Sequence, residues 1–320
     1  MSRTQGSRIR QVLGADVKDV EPIQSLWSGY GEIVRLFMQS GPYPSVVYKQ
    51  IKPPEQVTHP RGWAGARSHQ RKWRSYEVEL VWYHDFAPRC PDSARVAECY
   101  LGQETEDGFE LVLEDLQASG YGRRPWFGNL ADARVCLDWL AAFHAAFLGE
   151  APTGLWPQGT YWHLETRPDE LAAMTDNRLK SAAPVLDARL REARFQTLVH
   201  GDAKIANFLL SDERGAAAVD FQYVGGGPGI RDVAYLLGSC LDEGDCQTHA
   251  GTLLDDYFAQ LRQCLSRRGC DATTVEALEA EWRALYPVAW TDFYRFLQGW
   301  SPSHEKIHAY TLMQAQLALD

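Results

Sequence analysis

Between Leu198 and Gln222 the chain reads LVHGDAKIANFLLSDERGAAAVDFQ. An acid, an amide and a second acid fall there in order: Asp202, Asn207 and Asp220. Phosphoryl transfer from ATP asks for such a set. One carboxylate orients and deprotonates the attacking hydroxyl, while an amide and a second carboxylate supply hard oxygen ligands for magnesium. Asp202 is the candidate base, and it need not be a strong one, because positioning dominates the rate through a loose transition state. An Asp after Gly can also simply cap a turn. The linkage to Asn207 and Asp220 favours chemistry. Those two are the candidate magnesium ligands, since magnesium keeps waters and substrate phosphates for the rest of its shell.

The elements around these residues follow from local pattern. FLL after Asn207 reads as a strand, the polar SDERG as a hairpin turn, and AAAVDF as the returning strand with Asp220 at its end. Upstream, β-rich runs cover Glu32–Met38, Ser45–Ile51, Arg95–Leu101 and Phe109–Leu113, interrupted by a helical pattern around Arg74–Phe86. Helical spacing returns over Leu130–Leu148, over Leu171–Arg191 with a break at Pro184, and through most of the chain from Ile230. The expected fold is α+β: a small antiparallel sheet with one helix, then a larger, mainly helical lobe. The boundaries expected are residues 1–113, a hinge at 114–117, and 118–320.

The segment resembles the catalytic region of the aminoglycoside phosphotransferase and choline kinase superfamily, whose architecture is protein-kinase-like. It is most similar to the ecdysteroid-kinase-like group. The resemblance rests on Asp220-Phe221-Gln222, the hinge-like LVLEDL at Leu111–Leu116, the QASGY after it, and LAAFHAAF at Leu140–Phe147. It runs from about residue 45 to 240. It implies that Lys49, central in the strand SVVYKQI, holds the α- and β-phosphates of ATP with a helix Glu as brace. Glu79 matches the family's Glu better than Glu77; the two lie two apart and cannot share a helix face. Lys52 is a weaker rival for the Lys role. Ser28-Gly29-Tyr30-Gly31 would be the loop over the phosphates, with Gly29 and Gly31 allowing close backbone approach, although SGYG also suits a hairpin turn. The adenine would meet backbone near Glu114 and Leu116. Lys204 stands where protein kinases carry a Lys for the transferred phosphate. His200 would orient the loop, and Asp232 would be an N-cap or a brace for the catalytic loop.

Composition narrows the class further. A length of 320 residues allows two lobes. A net charge of −10 argues against general affinity for nucleic acid and fits a cationic or neutral substrate. No apolar run reaches the ~20 residues of a membrane span, and the N-terminal MSRTQGSRIRQVLG lacks the apolar core of a secretory signal. Seven scattered cysteines without a CxxC pair suggest reduced thiols in a cytoplasmic protein and no zinc site. No GxxxxGK[ST] occurs, and GGGPG at Gly225–Gly229 reads as a flexible turn, not a dinucleotide site. No His-Arg-Asp, Asp-Phe-Gly or Ala-Pro-Glu set is present, which disfavours a protein kinase. Tyr286, Trp290, Phe293 and Leu297 share one helix face, so core packing is expected over an aromatic cage. Asp242-Glu243-Asp245 is expected to be a solvated loop, and the basic run Arg61–Arg74 an exposed connection. The resulting expectation is an ATP- and magnesium-dependent kinase acting on a small hydroxyl compound, with neither nucleic acid nor membrane as partner.

Overall fold

The computed structural model describes residues 3–26, 29–53 and 66–320. The chain divides into two compact units, Met1–Arg89 with Val96–Arg123, and Cys90–Arg95 with Arg124–Asp320. The fold is the α+β one expected: a five-stranded antiparallel sheet in the first unit and a mainly helical second unit.

The first unit contains α1 (Arg3–Leu13), β1 (Val17–Ser25), β2 (Gly31–Met38), β3 (Ser45–Ile51), α2 (Ala66–Val81), β5 (Cys99–Thr105) and β6 (Gly108–Glu114), and the chain division falls within the two-residue β4 (Arg95–Val96). The sheet order is β1-β2-β3-β6-β5. Central β3 is covered on both faces. Val46 and Tyr48 pack with Leu36, Val112 and the α1 residues Ile9 and Leu13. On the other face Ile51 meets Tyr30, Phe109 and Tyr76 of α2. Lys49 is two residues from Ile51 and shares that α2 face. Each large apolar side chain fully buried there contributes about 1.5–3 kcal/mol. The sheet is therefore held through its two covered faces and not through its edge, since β1 is exposed at most positions.

Three readings change in this unit. α1 and β1 were not expected: β1 carries no apolar alternation, because an edge strand facing water does not need one. The basic run is not a connection from Arg67 on. Arg67–Arg74 belong to α2, whose first turns are at most half-buried and so can stay polar. Ser28 and residues 61–65 of the same run lie outside the described residues. Past Val81 the chain continues as a π-helical turn, Trp82–Phe86, with the Trp82 and Phe86 rings stacked at 6.1 Å.

The second unit is built on α3 (Leu130–Ala146). Asn129 caps it by accepting from the N–H groups of Ala131 and Asp132, and the Asp132 carboxylate answers the Asn129 N–H. The elements that follow are α4 (Pro168–Ala173), α5 (Asn177–Arg191), β7 (Thr197–Val199), β8 (Phe208–Ser211), β9 (Gly215–Ala218), β10 (Gly225–Gly227), α6 (Ile230–Cys240), α7 (Glu243–Arg267), α8 (Ala272–Trp300) and α9 (Ala309–Leu319). Pro184 sits inside α5; the helical break falls instead before Asn177, where Asp176 caps α5 by accepting from Leu179 N–H. The cap, not the missing proline N–H, sets this boundary.

Gly225–Gly227 is a strand, not a flexible turn: it pairs with β7 in the register Gly225↔Val199. A Cβ on Gly225 would stand 2.2 Å from the Trp156 carbonyl oxygen, so glycine admits a third backbone segment here. The acidic cluster is a helix start and not a loop, with Asp242 accepting from Asp245 N–H to cap α7. Tyr286, Trp290 and Leu297 are core residues of α8, whereas Phe293 is only half-buried. Among the described residues no helix is long and apolar enough to cross a membrane. The seven cysteines are not joined in disulfides.

Candidate active site

In the first unit the Lys49 ammonium lies 2.8 and 2.6 Å from the two Glu79 carboxylate oxygens. Both residues are buried, at 3% and 2% exposure. Glu77 is turned about 200° round α2. It pairs with Arg74 at 3.0 Å on the surface. Lys52 is half-exposed and 3.9 Å from Asp107. Gly29 and Gly31 both adopt positive φ, +76° and +126°. Gly31 opens β2, and a Cβ there would lie 2.0 Å from the Gln50 carbonyl oxygen of β3. Its glycine thus answers a strand-packing demand, whatever else it does.

Glu114 ends β6, and its carboxylate accepts from Glu98 N–H (3.1 Å) and the Ser119 hydroxyl (2.6 Å). Leu116 is buried, with its carbonyl accepting from Tyr121 N–H at 2.9 Å. Asp115 between them accepts from Arg35 Nε and the Ser45 hydroxyl, each at 2.7 Å, and from Gln117 N–H at 3.1 Å. This carboxylate fixes residues 114–117 against β2 and β3. The sequence reading passed over Asp115, although an acid directly after an apolar strand was a usable signal.

In the second unit β7 delivers the chain to His200. Asp232, in the first turn of α6 and fully buried, accepts from the N–H groups of His200 (2.5 Å) and Gly201 (3.0 Å) and faces His144 Nε2 at 3.2 Å. Of its two expected roles it takes that of brace: Gly229 holds the N-cap position. Gly201 has φ +79°, and a Cβ would meet the Tyr223 carbonyl at 2.0 Å, so no other residue fits this bend.

Asp202 follows, held from three sides. Its Oδ2 accepts from Lys204 Nζ and Asn207 Nδ2, each at 3.0 Å. Its Oδ1 accepts from the Tyr235 hydroxyl at 3.1 Å. Asn207 also donates to the Asp202 carbonyl at 2.8 Å, which commits both amide hydrogens and leaves Oδ1 as its metal-capable atom. The hairpin pairs Phe208 with Ala218, and the Val219 N–H extends it by donating to the Asn207 carbonyl at 2.9 Å. Asp220 is therefore the residue just past the rung that includes Asn207. Its φ is +71°, a left-handed conformation that Asp tolerates better than most residues. Gln222 donates to its Oδ1 at 2.6 Å. His200 ties loop to hairpin: Nδ1 accepts from Asp202 N–H (3.2 Å), so Nε2 carries the proton and donates to the Val219 carbonyl (3.0 Å).

Residues 158–270 match the ecdysteroid kinase-like family. That span includes Asp202, Lys204, Asn207, Asp220 and Asp232, and the match agrees with the likeness read from the sequence. No curated protein sequence matches the chain. Among solved structures, spectinomycin phosphotransferase APH(9)-Ia, in complex with ADP and spectinomycin, is similar over 100% of this chain and 99% of its own, with 10% identity and a TM-score of 0.55. A microcompartment-associated aminopropanol kinase is similar over 98% and 95%, with 15% identity and a TM-score of 0.51. Amicoumacin kinase hAmiN, in complex with AMP-PNP, Ca2+ and its ligand, is similar over 99% and 92%, with 14% identity and a TM-score of 0.51. At these identities the likeness is one of fold.

The charges around Asp202 are mutually tuned. The Asp202 carboxylate raises the pKa of Lys204 against the effect of burial, and Asp220 adds to the rise. Burial lowers that of Arg124, with Asp220 opposing; its Nε donates to the Ala206 carbonyl at 2.8 Å. Burial raises both Tyr235 and Tyr161, whose hydroxyls are 3.2 Å apart, so both stay protonated at neutral pH. Tyr235 then acts on Asp202 only as a donor. Sequence reasoning missed Tyr235, yet it sits three residues after Asp232 and so on the same face of α6. Tyr161 and Arg124 had no such neighbour to announce them. A carboxylate held by three donors, two on Oδ2 and one on Oδ1, keeps a lone-pair region on Oδ1 with which it can receive a proton from an incoming hydroxyl.

Proposed function

We propose that this protein is an ATP- and magnesium-dependent kinase that transfers the γ-phosphate to a hydroxyl of a small molecule: an alcohol, amino alcohol, sugar or sterol-like compound. The observation that carries the reading is the set at Asp202. One buried carboxylate is oriented by Lys204, Asn207 and Tyr235 on a loop whose backbone Asp232 clamps, next to a hairpin carrying Asn207 and Asp220. The family match over residues 158–270 supports it.

In this reading the acceptor oxygen attacks the γ-phosphorus, the bond to the bridging oxygen breaks, ADP leaves, and the acceptor proton passes to Asp202. Lys204 neutralises charge on the transferred group. Lys49, braced by Glu79, holds the α- and β-phosphates. Gly29 and Gly31 let backbone approach them, and the adenine rests on backbone at Glu114 and Leu116. Asn207 Oδ1 and the Asp220 carboxylate fit a hard cation, because both are oxygen donors and the amide hydrogens of Asn207 point their charge elsewhere. Magnesium there would neutralise the β- and γ-phosphate oxygens. ADP and AMP-PNP in the structurally similar phosphotransferases are in keeping with a nucleotide here. Residues 1–113, 114–117 and 118–320 act as nucleotide lobe, hinge and catalytic lobe in the same proposal, and a cytoplasmic setting suits it.

The test is ATP turnover over a library of alcohols, amino alcohols, sugars and sterols, with and without magnesium, beside a generic protein substrate such as casein. Magnesium-dependent transfer to a library member with negligible protein labelling is the expected result. Strong labelling of casein with no small acceptor would overturn it in favour of a protein kinase.

A further inference from the structure

The acceptor side of Asp202 already contains a cation. Lys306, in the loop between α8 and α9, holds its ammonium 5.2 Å from the centre of the Tyr235 ring and 5.8 Å from that of Phe293. Tyr235 is the residue whose hydroxyl donates to Asp202 Oδ1. Only one aromatic ring thus separates Lys306 from the proposed base. Against that ring pack the partly exposed Tyr161 and Phe293 and the buried Trp162, with Phe296 and Trp300 in the same cluster.

The position of Lys306 is built, not incidental. Its backbone N–H donates to His304 Nδ1 at 3.2 Å, and its carbonyl accepts from the Thr311 hydroxyl at 2.7 Å. Thr311 is in turn fixed by Trp290 Nε1 at 3.0 Å. Yet among the described residues the ammonium itself has neither an ion-pair nor a hydrogen-bond partner. Burial lowers its pKa to about 8, and the more distant Asp202 only partly restores it.

Two consequences follow for a ligand. The ring faces that would attract a cation by quadrupole interaction are occupied by the protein's own cation. Lys204 and Lys306 also both act electrostatically on Asp202, so an amine on the acceptor would bring a third positive charge to one carboxylate. An acid group would instead complete Lys306 with a charge-assisted hydrogen bond. Resting on the kinase reading above, we propose that the acceptor is a hydroxyl compound carrying an acid group, and that Lys306 is the specificity residue that pairs with it.

The probe is a set of matched hydroxyl compounds on linear, cyclohexane, benzyl and steroid scaffolds, each made as carboxylate, carboxamide and amine. Dissociation constants are measured by calorimetry on the full chain without nucleotide, and phosphate transfer is followed separately. The kinase reading fails if no member is phosphorylated; this inference is judged on charge preference alone. Carboxylates should bind at least tenfold tighter than the matched amines on the scaffold that fits. Lys306→Met, which keeps the apolar stem, should cut that ratio to within twofold, and Lys306→Arg should restore it. A preference for amines, an unchanged ratio in Lys306→Met, or no charge preference on any scaffold overturns the proposal. So does a Lys306→Met variant whose only change is an equal loss for all acceptors, which would point to the phosphates instead.

Discussion

Two lysine–carboxylate pairs, one in each unit, look alike by distance and differ in everything else. Lys49 and Glu79 meet at 2.6 Å with side chains 4% and 2% exposed. Lys204 and Asp202 meet at 3.0 Å with side chains 40% and 9% exposed. Glu79 spends both oxygens on one ammonium, whereas Asp202 divides its oxygens among a lysine, an amide and a phenol. The first pair is fully buried, each group the counterion of the other. The second is a shared, partly open carboxylate, the form expected of a group that must exchange a proton. Proximity of charges alone would not have separated them; burial does.

The comparison is broken most severely at Asp202. Asp202→Ala should lower kcat by roughly 10²–10⁴-fold while nucleotide binding persists. A variant that retained a tenth of wild-type kcat would remove Asp202 from the base role. Next comes the buried pair. Lys49→Ala or Glu79→Ala should each destabilise the fold by about 3–5 kcal/mol, because either leaves a buried charge without its counterion. Replacing both with apolar residues of similar size should recover most of that loss in denaturant unfolding and still leave a raised KM for ATP. Recovery of both stability and KM would mean that Lys49 is only structural.

A smaller effect tests the metal assignment. Saturating ATP with magnesium, at 100 times its Kd, should stabilise the protein by about 2.7 kcal/mol in a thermal melt. Asp220→Asn should blunt that shift, and equal shifts with and without magnesium would count against Asp220 as a ligand. The smallest effect belongs to Glu77. Its pair with Arg74 is 40% and 39% exposed. Glu77→Ala should therefore change stability by less than about 0.5 kcal/mol and leave the KM for ATP alone. A KM rise like that of Glu79→Ala would exchange the two roles.

What was legible in the sequence is what depends on neighbours along the chain. β3 was read to the residue because its apolar run stops at turn residues on both sides, and α3 was read from its first residue but ends at Ala146, short of the expected Leu148. The Asp202, Asn207 and Asp220 set was legible since one loop and one hairpin hold all three. β1 was invisible because an exposed edge strand carries polar residues at most positions, and the first half of α2 because its Arg, His and Gln also suit a loop. Tyr235 and Lys306 come from α6 and from the loop after α8. Only packing within the second unit brings them to Asp202, and no spacing rule encodes that. Pro184 misled because a proline weighs heavily in a one-dimensional reading, while Asp176 offered a better place to divide the helices.

The unequal exposure of the two pairs also sets how each responds to electrolyte. The Debye length falls from about 10 Å at 0.1 M ionic strength to about 3 Å at 1 M, and mobile ions screen only charges they can surround. Lys49 and Glu79 exclude them; Lys204 does not. Concentrated salt should therefore leave the internal brace of the first unit untouched while weakening the field that Lys204 exerts beside Asp202. In such a medium catalysis fades before the fold does, and the loss is reversed by dilution.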